Sequence, residues 1–292
     1  MSSVNPNQRC RAWLHLLGLT LGSALYLSTT GCVSNARPIE ELVSRVSSQA
    51  ARKPTTAPHD ATVSPQPADA ASQDTVIGTS VEGRPIGCRV LGNGPAVMLF
   101  LATIHGNEFA GTSLLERLGD YLADCPELLN GRRVVLVPVA NPDGLAHRTR
   151  HNARQVDLNR NFPAGNWAHN GRSGDSPLSE PESQALYDLL QLYQPHRVIT
   201  IHETLACIDY DGPGEALAQA MAAHGDLPVR KLGGLPGSLG SYFSKAFDRP
   251  IVTIELRRSA HQVREDDLWN GYREMLLAAL TFEDSKIAVA SE

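Results

Sequence analysis

The chain has 292 residues, which is enough for one sizeable domain with extensions. With 42% hydrophobic and 20% charged residues, the composition is that of a globular protein and argues against disorder over most of the length. The formal net charge is −5 and the sequence has no large basic block. It therefore lacks the cluster of positive charge that is typical of nucleic-acid-binding proteins. Five cysteines without a C-x-x-C pair give no support to a structural zinc ribbon or a thioredoxin motif.

Residues 1–32 have the features of an export signal. Two arginines precede a mostly apolar run over 12–27, which is short for a membrane-spanning helix and suits a secretory signal. The run is followed by Ser-Thr-Thr-Gly-Cys, which resembles a bacterial lipobox except at Thr29, where Leu is usual. Lipid attachment at Cys32, ordinary cleavage after Ala36 and an uncleaved anchor remain open. All three predict an exported protein, and the first predicts a periplasmic protein anchored to the cell envelope by lipid alone.

Three further parts are predicted along the chain. Residues 33–73 contain prolines among Ala, Ser, Thr and Asp, and they cannot bury enough apolar surface to offset their ordering entropy. They are therefore predicted to be a disordered tether. Residues 74–284 form the predicted catalytic domain, and 285–292 form a tail. The cysteines of this domain allow at most one internal disulfide, whose pair the sequence does not determine: Cys88, Cys125 and Cys207.

Within the catalytic domain, apolar runs alternate with helical patterns. After an entry hairpin over 75–91, the predicted strands are 96–102, 132–139, 195–203 and 250–256, and the predicted helices are 109–123, 177–192, 215–224 and 268–282. This alternation predicts a single α/β domain with a mostly parallel mixed sheet covered by helices on both faces. Ser179 and Glu182 have capping-box spacing. The Asn-Pro-Asp-Gly sequence at 141–144 predicts a tight turn.

His105 and Glu108 lie three residues apart, where the first buried strand gives way to a helix. A histidine nitrogen and a carboxylate oxygen at this spacing can converge on one ion, and zinc accepts such mixed ligands. The motif alone is weak, but His202 at the end of a later strand completes a His/Glu/His set, a known catalytic zinc arrangement. Because neighbouring strand residues point to opposite faces, Glu203 is not expected to face the metal.

The loop after residue 144 is rich in cations and contains Arg150 and Arg160. Arginine can hold a developing oxyanion, and it can clamp a substrate carboxylate in a bidentate fork. A later strand contains Glu255 among apolar residues. Burial of an unpaired charge is costly, so Glu255 either reaches water at the strand end or serves as a general base.

Together these residues resemble the zinc carboxypeptidase family. The matching pieces appear in the order of that family: His105-x-x-Glu108, Asn141-Pro142-Asp143-Gly144, Asp157-Leu158-Asn159-Arg160-Asn161-Phe162, His202 and Glu255. Within this family, the chain most resembles the bacterial murein tripeptide amidases, which have similar sequences at the segments 179–182, 205–208 and 236–241. It departs from them at Gln155, where members carry Gly.

The resemblance implies a role for each matched residue. These roles are binding of one zinc ion per chain by His105, Glu108 and His202, oxyanion stabilisation by Arg150, substrate-carboxylate binding by Asn159 and Arg160, and acid–base catalysis by Glu255. The implied reaction is hydrolysis of the γ-D-glutamyl–meso-diaminopimelate amide of murein peptides by a zinc-activated water, in cell-wall turnover or recycling.

Other functions remain open at this point. A carboxypeptidase of ordinary peptides or a deacylase of the aspartoacylase type would keep the metal and change the substrate. A non-catalytic cell-wall binding module predicts the loss of a ligand or of the catalytic Glu, and neither is lost. The sequence leaves undetermined the peptide length accepted, whether intact sacculus is cut, and the oligomeric state.

Overall fold

The computed structural model of the chain describes residues 72–283. The predicted export signal with Cys32, nearly all of the predicted tether and the predicted tail lie outside the described residues. Between 72 and 283, no helix combines the length and the apolar character that crossing a bilayer requires.

Six strands form one mixed sheet. Their bounds are Gln73–Thr79 (β1), Pro85–Leu91 (β2), Ala96–Ala102 (β3), Arg132–Val137 (β4), Arg197–Asp211 (β5) and Ile251–Arg257 (β6). The order across the sheet is β1-β2-β4-β3-β5-β6. The β1–β2 and β2–β4 pairs are antiparallel, whereas β3 pairs in parallel with both β4 and β5. This confirms the predicted α/β fold and its entry hairpin.

Helices pack around this sheet. Their bounds are Ala110–Asp124 (α1), Pro142–His147 (α2), Pro181–Tyr193 (α3), Glu215–Ala222 (α4), Leu239–Ala246 (α5) and Glu265–Thr281 (α6), with 3-10 turns at Pro126–Leu129, Leu158–Arg160 and Ala260–Gln262. Helices α1 and α4 both pack on α6, and α3 packs on β1. Helix α5 was not predicted, because its eight residues follow a glycine-rich loop that favours a turn.

The core lies between the central strands and α1. Strand β3 is buried from Val97 to Ala102, as expected of a parallel strand covered on both faces. Helix α1 buries Leu114, Leu118 and Leu122 at helical spacing. Each such fully buried side chain contributes roughly 1.5–3 kcal/mol of transfer free energy. This packing holds the carboxyl end of β3, and the loop that follows it, in place.

Two local predictions were wrong. The sequence at 141–144 begins α2 rather than forming a tight turn: the Asn141 side chain accepts a hydrogen bond from the Gly144 N–H at 2.8 Å. Asn at the cap and Pro at the first helical position favour helix starts as well as turns. The capping box is also absent, because α3 begins after Glu180 and the Ser179 hydroxyl donates to the Glu180 carboxylate at 2.9 Å.

Strand β5 reverses direction beside β6. From Val198 to Thr204 its register on β6 rises, and from Leu205 to Asp211 the register falls again. The reversal includes Ala206, whose φ of 52° lies in the left-handed region. Strand β6 therefore has both halves of β5 as partners, a feature that the prediction of a single strand over 195–203 did not contain.

The structure shows the state of two of the domain's three cysteines. Cys88 and Cys207 are buried free thiols. No disulfide therefore joins any two of the three cysteines that the sequence assigned to this domain. Burial raises the pKa of Cys88 to about 12, so its thiol stays protonated at neutral pH.

Candidate metal centre and active site

His105 and Glu108 follow the carboxyl end of β3, and they converge there with His202 from the middle of β5. The Nδ1 atoms of His105 and His202 each lie 2.9 Å from Glu108 Oε2. The two Nδ1 atoms are 3.2 Å apart. All three side chains are buried. The structure thus brings the three predicted ligands into one small triangle of nitrogen and oxygen atoms, which we call the ligand triangle.

The ligand triangle fits a zinc ion. In tetrahedral zinc sites the bonds are about 2.0–2.1 Å, which places ligand atoms about 3.3–3.4 Å from one another. The edges of the triangle, 2.9 to 3.2 Å, are close to these values. Two imidazole nitrogens and one carboxylate oxygen are also a donor set that zinc uses in catalytic sites.

Asp157 orients the first ligand from behind. Its Oδ1 atom lies 3.0 Å from His105 Nε2, on the side of the ring away from the ligand triangle. With an ionised carboxylate there, Nε2 carries the proton and Nδ1 keeps its lone pair for a metal. In the sequence, Asp157 stands out only as part of the motif at 157–162. Asp157 and His105 are 52 residues apart in the chain, so no local pattern predicts their contact. The motif was the only sequence feature that pointed to Asp157.

Arg150 links the two buried carboxylates. Its Nη1 donates to Glu108 Oε1 at 2.8 Å, and its Nε donates to Asp157 Oδ2 at 3.1 Å. Glu108 therefore turns its other oxygen, Oε2, towards the ligand triangle. The Arg150 side chain is 35% exposed and lines the cleft, so it also faces the space where a substrate would lie.

The electrostatics of the site favour ionised carboxylates. Burial raises the pKa of Glu108, but hydrogen bonds with His105 and His202 outweigh burial and hold this pKa well below its usual range. Burial likewise raises the pKa of Asp157, and the partners His105 and Arg150 hold it well below its usual range. In the absence of metal, burial lowers the pKa of His105, but its two carboxylate partners raise it overall. A metal ion must therefore displace protons, so metal affinity falls as the pH falls.

Glu255 occupies the same cleft as the ligand triangle. This cleft has a volume of about 720 Å³, and Glu255 lies directly across from His202 in the β5–β6 register. The Leu205 N–H points to Glu255 Oε2 at 3.5 Å. Glu255 is half-buried and faces the cleft rather than the apolar core. The position suits a group that exchanges protons with a substrate.

Asn159 and Arg160 line the cleft from the 3-10 turn at Leu158–Arg160. Asn159 Oδ1 accepts a hydrogen bond from the Leu239 N–H at 2.9 Å, which ties this turn to the start of α5. The Arg160 guanidinium donates to the Asn159 carbonyl. Burial lowers the pKa of Arg160, although Arg remains charged at neutral pH. The two side chains predicted to bind a carboxylate are thus side by side in the cleft.

Glu203 has a structural position, as its place in the strand predicted. Its Oε1 accepts a hydrogen bond from the Ala110 N–H at 3.0 Å, which caps the amino end of α1. Its Oε2 lies 2.9 Å from His261 Nδ1. Both carboxylate oxygens therefore have partners outside the ligand triangle, and the sequence alone did not predict this capping role.

Comparisons with known proteins agree with the geometry. The zinc carboxypeptidase family profile matches residues 69–213. Murein peptide amidase A of Escherichia coli (strain K12) is 39% identical over 165 residues, which cover 49% of this chain and 64% of that protein. Murein peptide amidase A of Vibrio campbellii is 34% identical over 176 residues, which cover 54% of this chain and 68% of that protein. The chain thus spans somewhat less than two thirds of the length of the Escherichia coli relative.

A solved structure extends the likeness to the fold. The crystal structure of murein-tripeptide amidase MpaA from Escherichia coli O157 superimposes with a TM-score of 0.57 and 29% sequence identity. The match covers 73% of this chain and 93% of the solved chain. With the family profile, the relatives and the His/Glu/His group in agreement, the chain belongs to the zinc carboxypeptidase family and is a hydrolytic metalloenzyme that uses zinc.

Proposed function

We propose that this enzyme hydrolyses the γ-D-glutamyl–meso-diaminopimelate amide of murein peptides in cell-wall turnover or recycling. The observation that carries the proposal is that one cleft holds the ligand triangle, Glu255 and the Asn159–Arg160 pair. The relatives at 34–39% identity are named murein peptide amidases, which supports this substrate over ordinary peptides.

In the proposed mechanism the chain's own groups position the substrate and move the protons. When held by His105, Glu108 and His202, zinc supplies Lewis-acid chemistry, which polarises a carbonyl and lowers the pKa of water. The Glu255 carboxylate takes a proton from the attacking water and returns it to the nitrogen that leaves. The Arg150 guanidinium donates to the oxyanion that develops on the carbonyl oxygen.

The free carboxylate of the substrate sets its direction in the cleft. In a murein tripeptide, diaminopimelate is the C-terminal residue and presents a carboxylate next to the scissile amide. The Arg160 guanidinium provides two parallel N–H groups that match a carboxylate, and the Asn159 amide provides a third donor. Anchoring this end holds the scissile carbonyl in reach of Glu255 and Arg150, which lowers the entropic part of the barrier.

Mass spectrometry of the products from L-alanyl-γ-D-glutamyl-meso-diaminopimelate tests this proposal. The expected products are free diaminopimelate and the dipeptide L-alanyl-D-glutamate, with loss of activity on chelation and its return with zinc. An α-linked peptide with the same C-terminal residue serves as the comparison. Rapid cleavage of the α-linked peptide with no cleavage of the tripeptide would contradict the proposal and indicate an ordinary carboxypeptidase.

We further propose that the enzyme is exported and attached to the cell envelope through a lipid on Cys32. Support comes from the apolar run over 12–27 and the lipobox-like sequence that follows it. Labelling with a radioactive fatty acid should mark the wild type and not the Cys32→Ser variant. Absence of label on the wild type would contradict the lipid anchor.

A further inference from the structure

Three arginines in the described part of the chain line the cleft, and the proposed mechanism uses two of them. Arg150 is held between two buried carboxylates beside the ligand triangle, and Arg160 belongs to the pair that binds the substrate carboxylate. The third, Arg258, is exposed and lies in the turn directly after β6. Arg258 is therefore a cation of the cleft to which the mechanism gives no task.

Arg258 has no anionic partner within residues 72–283. Its neighbour Arg257 lies outside the cleft and pairs with Asp226 at 2.6 Å. The Glu203 carboxylate lines the same cleft, but one of its oxygens caps α1 and the other lies 2.9 Å from His261 Nδ1. The Arg258 guanidinium is thus available to an anionic group of the substrate, which it can bind through two parallel N–H groups.

The carboxylate-binding pair lies towards one end of the cleft wall that β6 forms. Ile251 and Glu255 both line this wall, and alternate residues of a strand share a face. Asp211 lies across from Ile251 in the register, and Gly240 in α5 is so close to the Asp211 carboxylate that an added Cβ would clash with it. The preceding residue of α5 donates its N–H to Asn159 Oδ1 at 2.9 Å. The pair is therefore anchored at the end of the wall that precedes Glu255.

Arg258 lies at the opposite end of the same wall, because β6 runs on from Glu255 to Arg257 and Arg258 comes next. A substrate with its C-terminal carboxylate at Arg160 and its scissile carbonyl at Glu255 consequently extends its acyl part towards Arg258. The acyl part of a γ-D-glutamyl amide has a free α-carboxylate, separated from the scissile carbonyl by three carbon atoms. The unpaired cation and this second carboxylate of the substrate thus occupy the same side of the scissile bond.

We infer that Arg258 determines specificity for the acyl side of the substrate by binding the free α-carboxylate of a γ-linked glutamyl residue. The inference rests on the proposed function and deepens it, because it names a residue that recognises the γ-linkage itself. Arg160 and Arg258 then hold the two ends of the substrate and place the scissile carbonyl between them, which raises kcat/KM. A substrate that is neutral at the α-position lacks the second point of attachment.

The test compares L-alanyl-γ-D-glutamyl-meso-diaminopimelate with the same tripeptide in which the glutamyl α-carboxylate is a carboxamide. The wild-type kcat/KM should favour the carboxylate by about 5–10-fold, as expected of a charged hydrogen-bonded pair that solvent partly screens. Arg258→Gln should bring this ratio close to one through loss on the carboxylate substrate. Arg258→Lys keeps the charge but not the fork, so its ratio should be intermediate.

Arg257→Gln is the matched control, because Arg257 is the adjacent residue, is also exposed and lies outside the cleft; its ratio should equal that of the wild type. Equal wild-type efficiency on the two tripeptides would overturn the inference and leave the murein linkage intact. An unchanged ratio in Arg258→Gln, or an equal loss on both tripeptides, would also overturn it. Cleavage of an α-linked peptide and of neither tripeptide would instead refute the proposed function, and this inference with it.

Discussion

Asp157 Oδ1 lies 3.0 Å from His105 Nε2, at the edge of the imidazole that points away from the ligand triangle. This contact selects the His105 tautomer that can bind a metal through Nδ1. It also connects the first ligand to Arg150, since Arg150 bonds the other oxygen of Asp157. The groups behind the first ligand therefore hold one another through hydrogen bonds, and they are charged rather than neutral.

Asp157→Asn should weaken zinc binding by about 10–100-fold, the usual cost of losing such an orienting carboxylate. The amide can still accept from His105, but it removes the negative charge and places an N–H where Arg150 donates. A competition titration against a chelator of known affinity measures the change. Asp266→Asn, a surface carboxylate paired with Arg117, is the matched control and should leave affinity unchanged. Equal zinc affinity in Asp157→Asn and wild type would show that Asp157 does not support the centre.

Glu255→Gln should abolish hydrolysis, by a factor on the order of 10²–10⁴ or more, while the protein keeps its zinc. The amide cannot accept the proton that the carboxylate is proposed to take. Glu203→Gln is a sharp control, because Glu203 lines the same cleft, yet a glutamine there can still accept from Ala110 and donate to His261. Hydrolysis and zinc content are measured on the same preparations. A Glu255→Gln enzyme as active as Glu203→Gln would remove Glu255 from the mechanism.

Arg160→Ala should lower kcat/KM by about 30-fold or more for a substrate with a free C-terminal carboxylate. It should change little for the same substrate with a C-terminal amide, because the lost interaction is with the carboxylate. Arg160→Lys keeps the charge but not the planar fork, so its activity should be intermediate. Arg154→Ala is the control: this Arg is in the same loop, 57% exposed and outside the cleft. Equal losses on both substrates would indicate a structural role for Arg160.

Asp143→Asn should lower the free energy of unfolding by about 1–3 kcal/mol at pH 7, because a buried acceptor is replaced by an amide. Asp143 accepts from the Ser80 hydroxyl at 2.6 Å and the Glu82 N–H at 2.9 Å, which ties the β1–β2 turn to α2. Its ion pair with Arg84 is discounted, since Arg84 is 39% exposed. Denaturant unfolding of wild type and variant measures the difference.

The pH dependence of that difference has a definite sign. Burial raises the pKa of Asp143, but hydrogen bonds from Ser80, Glu82 and Arg84 outweigh burial and hold it below 3.8. A depressed pKa stabilises the fold above the unfolded-state pKa, and this stability is lost as the pH falls through the folded-state value. The gap between wild type and Asp143→Asn should therefore be full above about pH 5 and shrink below 3.8. A gap that grows on acidification would contradict the assigned network.

Much of the fold was predictable because its signals are local. The apolar run of β3, the helical spacing of Leu114, Leu118 and Leu122, and the alternation of strands and helices all follow from backbone geometry and burial. The errors occurred where one set of residues supports two structures. Asn141 followed by proline suits a turn and a helix start equally, and Ser179 is one residue too early to cap α3. The reversal of β5 at Ala206 has no sequence signal that separates it from an ordinary strand end.

The sequence by itself determined the donor types and their order: His105 and Glu108 on one loop, His202 on a later strand, Glu255 on the last. It did so because spacing within one element and the ends of parallel strands place side chains predictably. Only the tertiary structure decided which groups surround them, namely Asp157 behind His105, Arg150 across both carboxylates, and Glu203 at the helix start. Those contacts join residues far apart in the chain, and their formation depends on packing that no local pattern records.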